Sequence, residues 1–449
     1  MSRRPLRACL LPLILQVAAC AVYRPAPLPA ADAELLPQSL AELAVPARTH
    51  PRLAAAPVDL ATPLSEWDLA RITLSISPDL IALRAQVGVS EAQLFASGLL
   101  PDPQLSVGLG RPSGADLVNV LSGALVTELS SALTRSPRQE AARAAVEQTR
   151  HDLGWREWLA INQVRTLVRR IDALHQQQTI AQAAAELARK RLATDRDNLE
   201  QGDARIDEVS LSQVALLDAQ GRALALAREL RSAKLQLNAL VGLSPEIELA
   251  LAPAAPRGNC RPPDSPTTLS ARARTTRLDL IALRDGYQAQ EAQVHVATRA
   301  ALPLPQLELN RDRDSGAIWT TGVAATLTLP LWNRGRGDIA VAQASRDQLR
   351  AEYLARLHQT SADIAALCTD LDALDRERDG LASELPALRE AGARLAIASR
   401  DGGVSRANFE AVRAALLNQE LAMLGIDQAR SEAQVALETA VGDFIWKDQ

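Results

Sequence analysis

Few residues in this chain stand at spacings that make or break bonds. The histidines His50, His151, His175, His295 and His358 are scattered, with no two at metal-ligand spacing. Asp312-Arg313-Asp314-Ser315-Gly316 opens like a calcium loop, but the glutamate that closes such a loop is missing at the required distance, so an exposed turn fits it better. No glycine-rich phosphate loop and no nucleophile elbow occurs. No catalytic residue, metal site or cofactor is expected, and the chain reads as a non-enzyme.

The chemistry that remains is acylation and electrostatics. Arg3, Arg4 and Arg7 precede an apolar run from Leu10 to Leu15, and Val17-Ala18-Ala19 stand directly before Cys20. This is a secretory signal over residues 1–19, and small residues set against a cysteine resemble a bacterial lipobox. Cleavage would leave Cys20 first, acylated and held to a membrane. Ala21 in place of an aspartate favours sorting to the outer membrane. Cys260 and Cys368 remain in the mature chain, where an oxidising compartment would allow a disulfide between them.

Composition narrows the class further. Aromatics are 3% and hydrophobics 47% of 449 residues, so the apolar content is mostly Ala, Leu and Val, which suits close helix packing. The formal charge is −4 (49 − 53), and without the three leader arginines it is −7 (46 − 53). No basic stripe with interleaved aromatics occurs, which argues against nucleic acid as a partner. Beyond the leader no run of about 18 apolar residues provides a transmembrane helix.

The elements that position these groups come in two copies. Asp79-Leu80-Ile81-Ala82-Leu83-Arg84 recurs as Asp279-Leu280-Ile281-Ala282-Leu283-Arg284, and Glu91-Ala92-Gln93 as Glu291-Ala292-Gln293. Leu100-Pro101-Asp102-Pro103-Gln104-Leu105 recurs as Leu302-Pro303-Leu304-Pro305-Gln306-Leu307, and Val241-Gly242 as Val441-Gly442. The offsets are 200, 200, 202 and 200 residues, the mark of a tandem duplication.

This divides the chain into a Pro- and Ala-rich extended tether at 20–64, a first repeat at 65–242, a Pro-rich linker at 243–268, a second repeat at 269–442 and a tail at 443–449. Each repeat predicts a helix, two short alternating strands, a very long helix, a glycine tip and a return helix. The first helix, about 65–97, breaks near Ser77-Pro78, where Ser77 would cap the second part. Strands are predicted from Leu105 and over about 121–131, then from Gln306 and over Gly322 to Leu329. Their alternation over about eight to eleven residues approaches the length of a tilted membrane strand.

Ser136-Pro137 reads as the N-cap and first position of a helix to about Asn198, with Val164, Leu167, Ile171 and Leu174 as its buried stripe. Such a rod of about 60 residues would be about 90 Å long. Its second copy runs from about Asp338 to Ser399, with Pro386 expected to kink it. Four strands cannot close a sheet, so three copies giving about twelve strands are expected.

Three features are candidate sites. Asn333-Arg334-Gly335-Arg336-Gly337 lies where strand becomes helix; its glycines tolerate a bend and its arginines are placed to meet phosphates at a membrane boundary. The tips Gly202-Asp203-Ala204-Arg205 and Gly403-Val404-Ser405-Arg406 both set Gly three residues before Arg, as hairpin turns or partner-docking points. Asp207, Glu208 and Glu410, just beyond the tips, are either a solvated helix face or, repeated by symmetry, acidic rings that attract cations at an entrance.

On these residues the chain resembles the TolC-like outer-membrane efflux proteins. The resemblance covers about residues 65 to 442, and its most specific pieces are Leu302-Pro303-Leu304-Pro305-Gln306-Leu307, Thr328-Leu329-Pro330-Leu331-Trp332-Asn333-Arg334-Gly335 and Val241-Gly242-Leu243. It implies a mixed, mainly α, internally duplicated fold, with four membrane strands per protomer and a homotrimer closing a twelve-stranded β-barrel in outer-membrane lipid above a periplasmic α-barrel.

It also implies a passive duct served by a periplasmic adaptor and an inner-membrane pump of the resistance-nodulation-division type. The Leu-Pro-Leu-Trp-Asn-Arg-Gly wording is most similar to the heavy-metal cation branch, although no Met or His cluster accompanies it. Some family members carry paired aspartates after the second tip, where this chain has Asn408-Phe409-Glu410-Ala411-Val412-Arg413. The competing reading is an envelope-bridging helical lipoprotein or a pump adaptor, but adaptors usually carry one long hairpin rather than two duplicated ones.

Overall fold

A computed structural model describes residues 23–29, 37, 39, 43, 50–54, 56–114, 116–253, 262–400, 403–404 and 406–446. The leader with Cys20, and also Cys260, Asp401, Gly402, Ser405 and the side chain of Arg406, lie outside what is described.

The first repeat runs α1 (Glu66–Ile76), α2 (Pro78–Ser97), β1 (Gln104–Gly110), β2 (Val120–Glu128), α3 (Ser130–Gln201) and α4 (Ile206–Val241). The second runs α5 (Pro266–Thr276), α6 (Leu278–Ala300), β3 (Gln306–Arg313), β4 (Trp319–Thr326), α7 (Arg336–Arg400) and α8 (Arg406–Val441). At 72 residues α3 is about 108 Å long. Among the described residues no helix is long and apolar enough to cross a membrane.

The duplication is visible atom by atom. Ser65 caps α1 by accepting from the Asp68 amide at 3.2 Å, and Ser265 caps α5 by accepting from the Thr268 amide at 3.2 Å. Val164, Val168 and Ile171 of α3 enter one core, and Ile364, Cys368 and Leu371 of α7, each 200 residues later, enter another. The return helices end on Gly242 and Gly442, at φ 90° and 75°. A Cβ on Gly242 would stand 2.7 Å from Pro78 Cδ, and one on Gly442 3.0 Å from Arg277 Cα. Each glycine lets a long helix stop against the break between two short ones.

Several boundaries differ from expectation. Ser77 makes no side-chain cap, and α1 and α2 are separate helices joined there. α3 begins at Ser130, which places Pro137 two turns inside it. The proline removes one backbone bond, while Thr134 Oγ1 and the Arg138 guanidinium donate to the Ser130 and Ser131 carbonyls at 3.2 and 2.8 Å and tie down the first turn. Pro386, expected to kink the second rod, lies inside the continuous helix α7. The strands have 7, 9, 8 and 8 residues, and β4 stops at Thr326 rather than Leu329 because its partner β3 begins opposite it at Gln306, after Pro305, which has no amide to donate.

The tether, linker and tail are also more structured than expected. Leu64 bridges in parallel to Leu251, its amide donating to the Ala250 carbonyl at 2.8 Å, and both residues join the first-repeat core. His50 is buried; its Nε2 faces the Gly154 carbonyl at 3.2 Å and its Nδ1 accepts from the Arg52 amide at 3.1 Å. That pair of partners selects the neutral Nε2–H tautomer, and burial lowers the pKa of the ring. From the tail, Asp443 pairs with Arg52 at 2.9 Å and also with Arg272, and Phe444 packs edge-on to Trp67 and Trp158. These segments supply apolar side chains that close the cores where long and short helices meet.

Candidate functional site

The four strands form one antiparallel sheet in the order β1-β2-β3-β4. β2 and β3 pair although α3 and α4 lie between them in sequence, with Leu125 opposite Leu309. β1 and β4 are left as unpaired edges in the single chain.

The register sorts side chains onto two faces. One face presents Leu105, Val107, Leu109, Leu121, Leu125, Leu307, Leu309 and Val323. Of these, Leu105, Val107, Leu109 and Val323 are 69–80% exposed, an apolar surface with no cover in a single protomer. The other face carries Ser106, Gly108, Ser122, Asn310, Gly322 and Thr326, together with the carboxylates of Glu128, Glu308 and Asp312. The exceptions are Thr127, Arg311, Arg313 and Thr321 on the first face and Val120 and Val126 on the second.

Where sheet becomes helix, Gly335 has φ 67°, and an added Cβ would stand 2.6 Å from Ala301 Cβ. Gly337 lies in the first turn of α7 with nothing within 4 Å of its Cβ position. Arg334 takes φ 51°, strained for a residue with a side chain. The Arg336 guanidinium donates to the Trp332 carbonyl at 2.9 Å, so it ties the junction to itself instead of reaching outward. Asn333 contributes its carbonyl, which accepts from the Arg336 amide at 3.0 Å. Trp332 is 82% exposed at this end of the sheet and Trp319 49% exposed at the opposite, turn end. The interfacial rings of membrane strands have this placement.

At the first tip, Gly202 turns the chain at φ 81°, and the Asp203 amide returns to the Asn198 carbonyl at 2.8 Å. Arg205 pairs with Asp207 at 3.1 Å, and its amide donates to the Glu208 carboxylate at 3.3 Å. Glu208 thus caps α4, Asp207 holds the Arg205 side chain, and both carboxylates remain exposed. At the second tip, the Gly403 amide donates to the Ala398 carbonyl at 2.9 Å.

Glu410 is not on an open face. It is 9% exposed and stands 3.5 Å from Arg191 of the first hairpin. Arg222 to Asn418 at 3.2 Å and Gln177 to Gln428 at 3.0 Å join the same two hairpins farther from the tips.

A buried charge cluster, which sequence reasoning missed, holds the halves together at mid-length. Arg165 and Glu438 are both fully buried and 2.8 Å apart. Arg165 also donates to Asn162 Oδ1 at 2.7 Å and lies 4.5 Å over the Trp67 ring. Arg169 grips Glu66 with two bonds of 2.7 Å. Burial pushes the Arg165 pKa down, and Glu438 and Glu66 pull it back. The one available signal was a break in the repeat, since Glu438 stands where the first copy has Asn238.

No group of three or more potential ligands that could hold a metal occurs among the described residues. Cys368 is a buried free thiol whose pKa is raised by burial.

No family model matches the chain, and no curated protein sequence does either. Solved structures do match. CusC, described in connection with transmembrane channel formation, aligns over 89% of this chain and 99% of its own at a TM-score of 0.69 and 17% identity. The Campylobacter jejuni CmeC outer membrane channel aligns over 86% and 87% at 0.69 and 16%. The Vibrio cholerae outer membrane protein VceC aligns over 86% and 100% at 0.66 and 18%. At such identities the likeness establishes the fold, the mainly α, duplicated architecture with one small sheet that the sequence resemblance implied.

Proposed function

We propose that this chain, which has the TolC-like fold, is an outer-membrane channel subunit that passively conducts exported small molecules or metal cations out of the cell. The observation that carries this reading is the sheet, with carboxylates and hydroxyls on one face, uncovered leucines and valines on the other and both edges open. Three copies would close it into twelve strands with the polar face inward, wide enough to leave a lumen. The paired hairpins would then line a helical tube below the membrane, and acylated Cys20 would anchor each subunit. The CmeC and VceC structures, described as an outer membrane channel and an outer membrane protein, agree with this location.

A duct without an energy source needs a pump, so the tips at Gly202, Asp203, Arg205, Gly403, Ser405 and Arg406 are the proposed contacts for a periplasmic adaptor. That adaptor would join the channel to an inner-membrane transporter of the resistance-nodulation-division type. Asp207 and Glu208 would ring the entrance, and Glu410 would act through its pairing with Arg191. The deciding experiment is to purify the chain from outer membranes and measure its mass in detergent and its conductance in planar bilayers. A trimer with discrete conductance steps is expected. A monomer that conducts nothing would sink the proposal and return attention to an envelope-bridging lipoprotein or adaptor.

A further inference from the structure

The apolar face of the sheet carries a second pattern at its turn end. Leu109, Leu121, Arg313 and Trp319 share one cross-strand row beside the turns, and Val107, Gly123, Arg311 and Thr321 share the next. Arg111 follows Gly110 in the same alternation phase. The offset of 202 that maps Gln104 onto Gln306 also maps Arg111, one residue beyond β1, onto Arg313, the last residue of β3. All the strand carboxylates, Glu128, Glu308 and Asp312, fall in the opposite phase. Asp314, in the turn, spends its Oδ1 on the Gly316 and Ile318 amides at 2.9 Å each.

These arginines are therefore cations without anions. Among the described residues none of the three takes part in an ion pair. Arg313 Nε is buried and has no hydrogen-bond partner. The Arg311 guanidinium lies 5.1 Å over the Trp319 ring, which orients it while leaving its in-plane donors free. Beside it, the Cβ position of Gly123 meets nothing closer than the Arg311 carbonyl oxygen at 3.8 Å, so the surface there is open. A charge on a lipid-facing strand is tolerated near the interface and not at mid-depth, and all three arginines stand at the turn end.

We propose that Arg111, Arg311 and Arg313, oriented by Trp319, bind the phosphates of anionic lipid headgroups in the leaflet at the turn end of the sheet. Guanidinium forks match phosphate oxygens two at a time, and the strands carry no carboxylate on that face to compete. The inference rests on the membrane-spanning reading of the sheet, and its test is built to fail separately.

Full-length wild type and the triple variant Arg111→Gln, Arg311→Gln, Arg313→Gln are purified in detergent, offered phosphatidylglycerol or phosphatidylcholine, and weighed by native mass spectrometry; conductance is recorded in phosphatidylcholine bilayers. Wild type is expected to retain phosphatidylglycerol about tenfold over phosphatidylcholine, and the triple variant to lose that preference while conducting normally. Asp312→Asn, on the opposite face, should keep it. Equal lipid preference in wild type and a conducting triple variant overturns the site and leaves the channel reading standing, whereas a wild type that never conducts overturns the channel reading. Uptake of inorganic phosphate with no lipid preference also overturns the site. If the triple variant fails to assemble, Arg311→Gln and Arg313→Gln are measured singly, and no loss in either refutes the proposal.

Discussion

Gly335 and Gly337 are two residues apart and are expected to respond to alanine in opposite directions. At Gly335 an alanine must hold φ near 67°, which costs about 1–2 kcal/mol for an L-residue. Its Cβ would also stand 2.6 Å from Ala301 Cβ, an overlap whose relief adds about 1–3 kcal/mol. A total near 3 kcal/mol corresponds to roughly a hundredfold more frequent opening of the junction. At Gly337 nothing lies within 4 Å and the residue is helical, so alanine should stabilise by about 0.4–1 kcal/mol through lost freedom of the unfolded chain.

Amide hydrogen exchange reads this locally. The reporters are the Arg336 amide, bonded to the Asn333 carbonyl at 3.0 Å, and the Ile339 amide, bonded to the Gly335 carbonyl at 3.1 Å. Gly335→Ala should speed their exchange by roughly a hundredfold and Gly337→Ala should slow it a few fold. Equal protection in wild type and Gly335→Ala, or a shift of the same sign in both variants, would refute the argument that φ and the Ala301 contact make Gly335 necessary.

Three further outcomes follow from buried and paired charges. Glu438→Gln removes the charge 2.8 Å from the fully buried Arg165 guanidinium, leaving only Glu66 at 3.7 Å to balance it, and should cost about 3–5 kcal/mol, read as a lowered thermal midpoint. Arg165→Met with Glu438→Leu should recover most of that loss, and no recovery would mean that the cluster does more than balance charge. His50 has a lowered pKa when folded, so its contribution is present above its ordinary value of about 6.5 and is lost as pH falls below it. His50→Gln should flatten the stability profile below about pH 6.5, and an unchanged profile would count against the neutral tautomer. Glu410→Lys sets two cations together at Arg191 and is expected to raise leak or shift cation selectivity in planar bilayers; unchanged conductance and reversal potential would remove Glu410 from the entrance.

Most of the architecture was legible from local pattern. Repeated words at offsets near 200 gave two copies of one unit, and period-two and period-3.6 stretches separated strands from rods. Gly202, Gly242, Gly335 and Gly442 all adopt positive φ, at helix ends or at the sheet-to-helix junction where breaks were expected. These features are legible because backbone conformation and face burial depend on near neighbours in sequence.

Local pattern erred where a residue's environment comes from far along the chain. Residues 50–64 and 443–446 looked like tether and tail but supply core, because helices distant in sequence leave gaps that Leu53, Leu64, Phe444 and Ile445 fill. Glu410 looked like an exposed helix residue until the first hairpin set Arg191 beside it. Periodicity made the leucines and arginines of the strands neighbours on one face, but only the pairing of β2 with β3 across nearly the whole first hairpin made them one surface. The sequence by itself determined which elements form and which way each side chain points from its own backbone. Tertiary structure alone decided which charges meet, because Arg165 and Glu438 are 273 residues apart and no local spacing records their pairing.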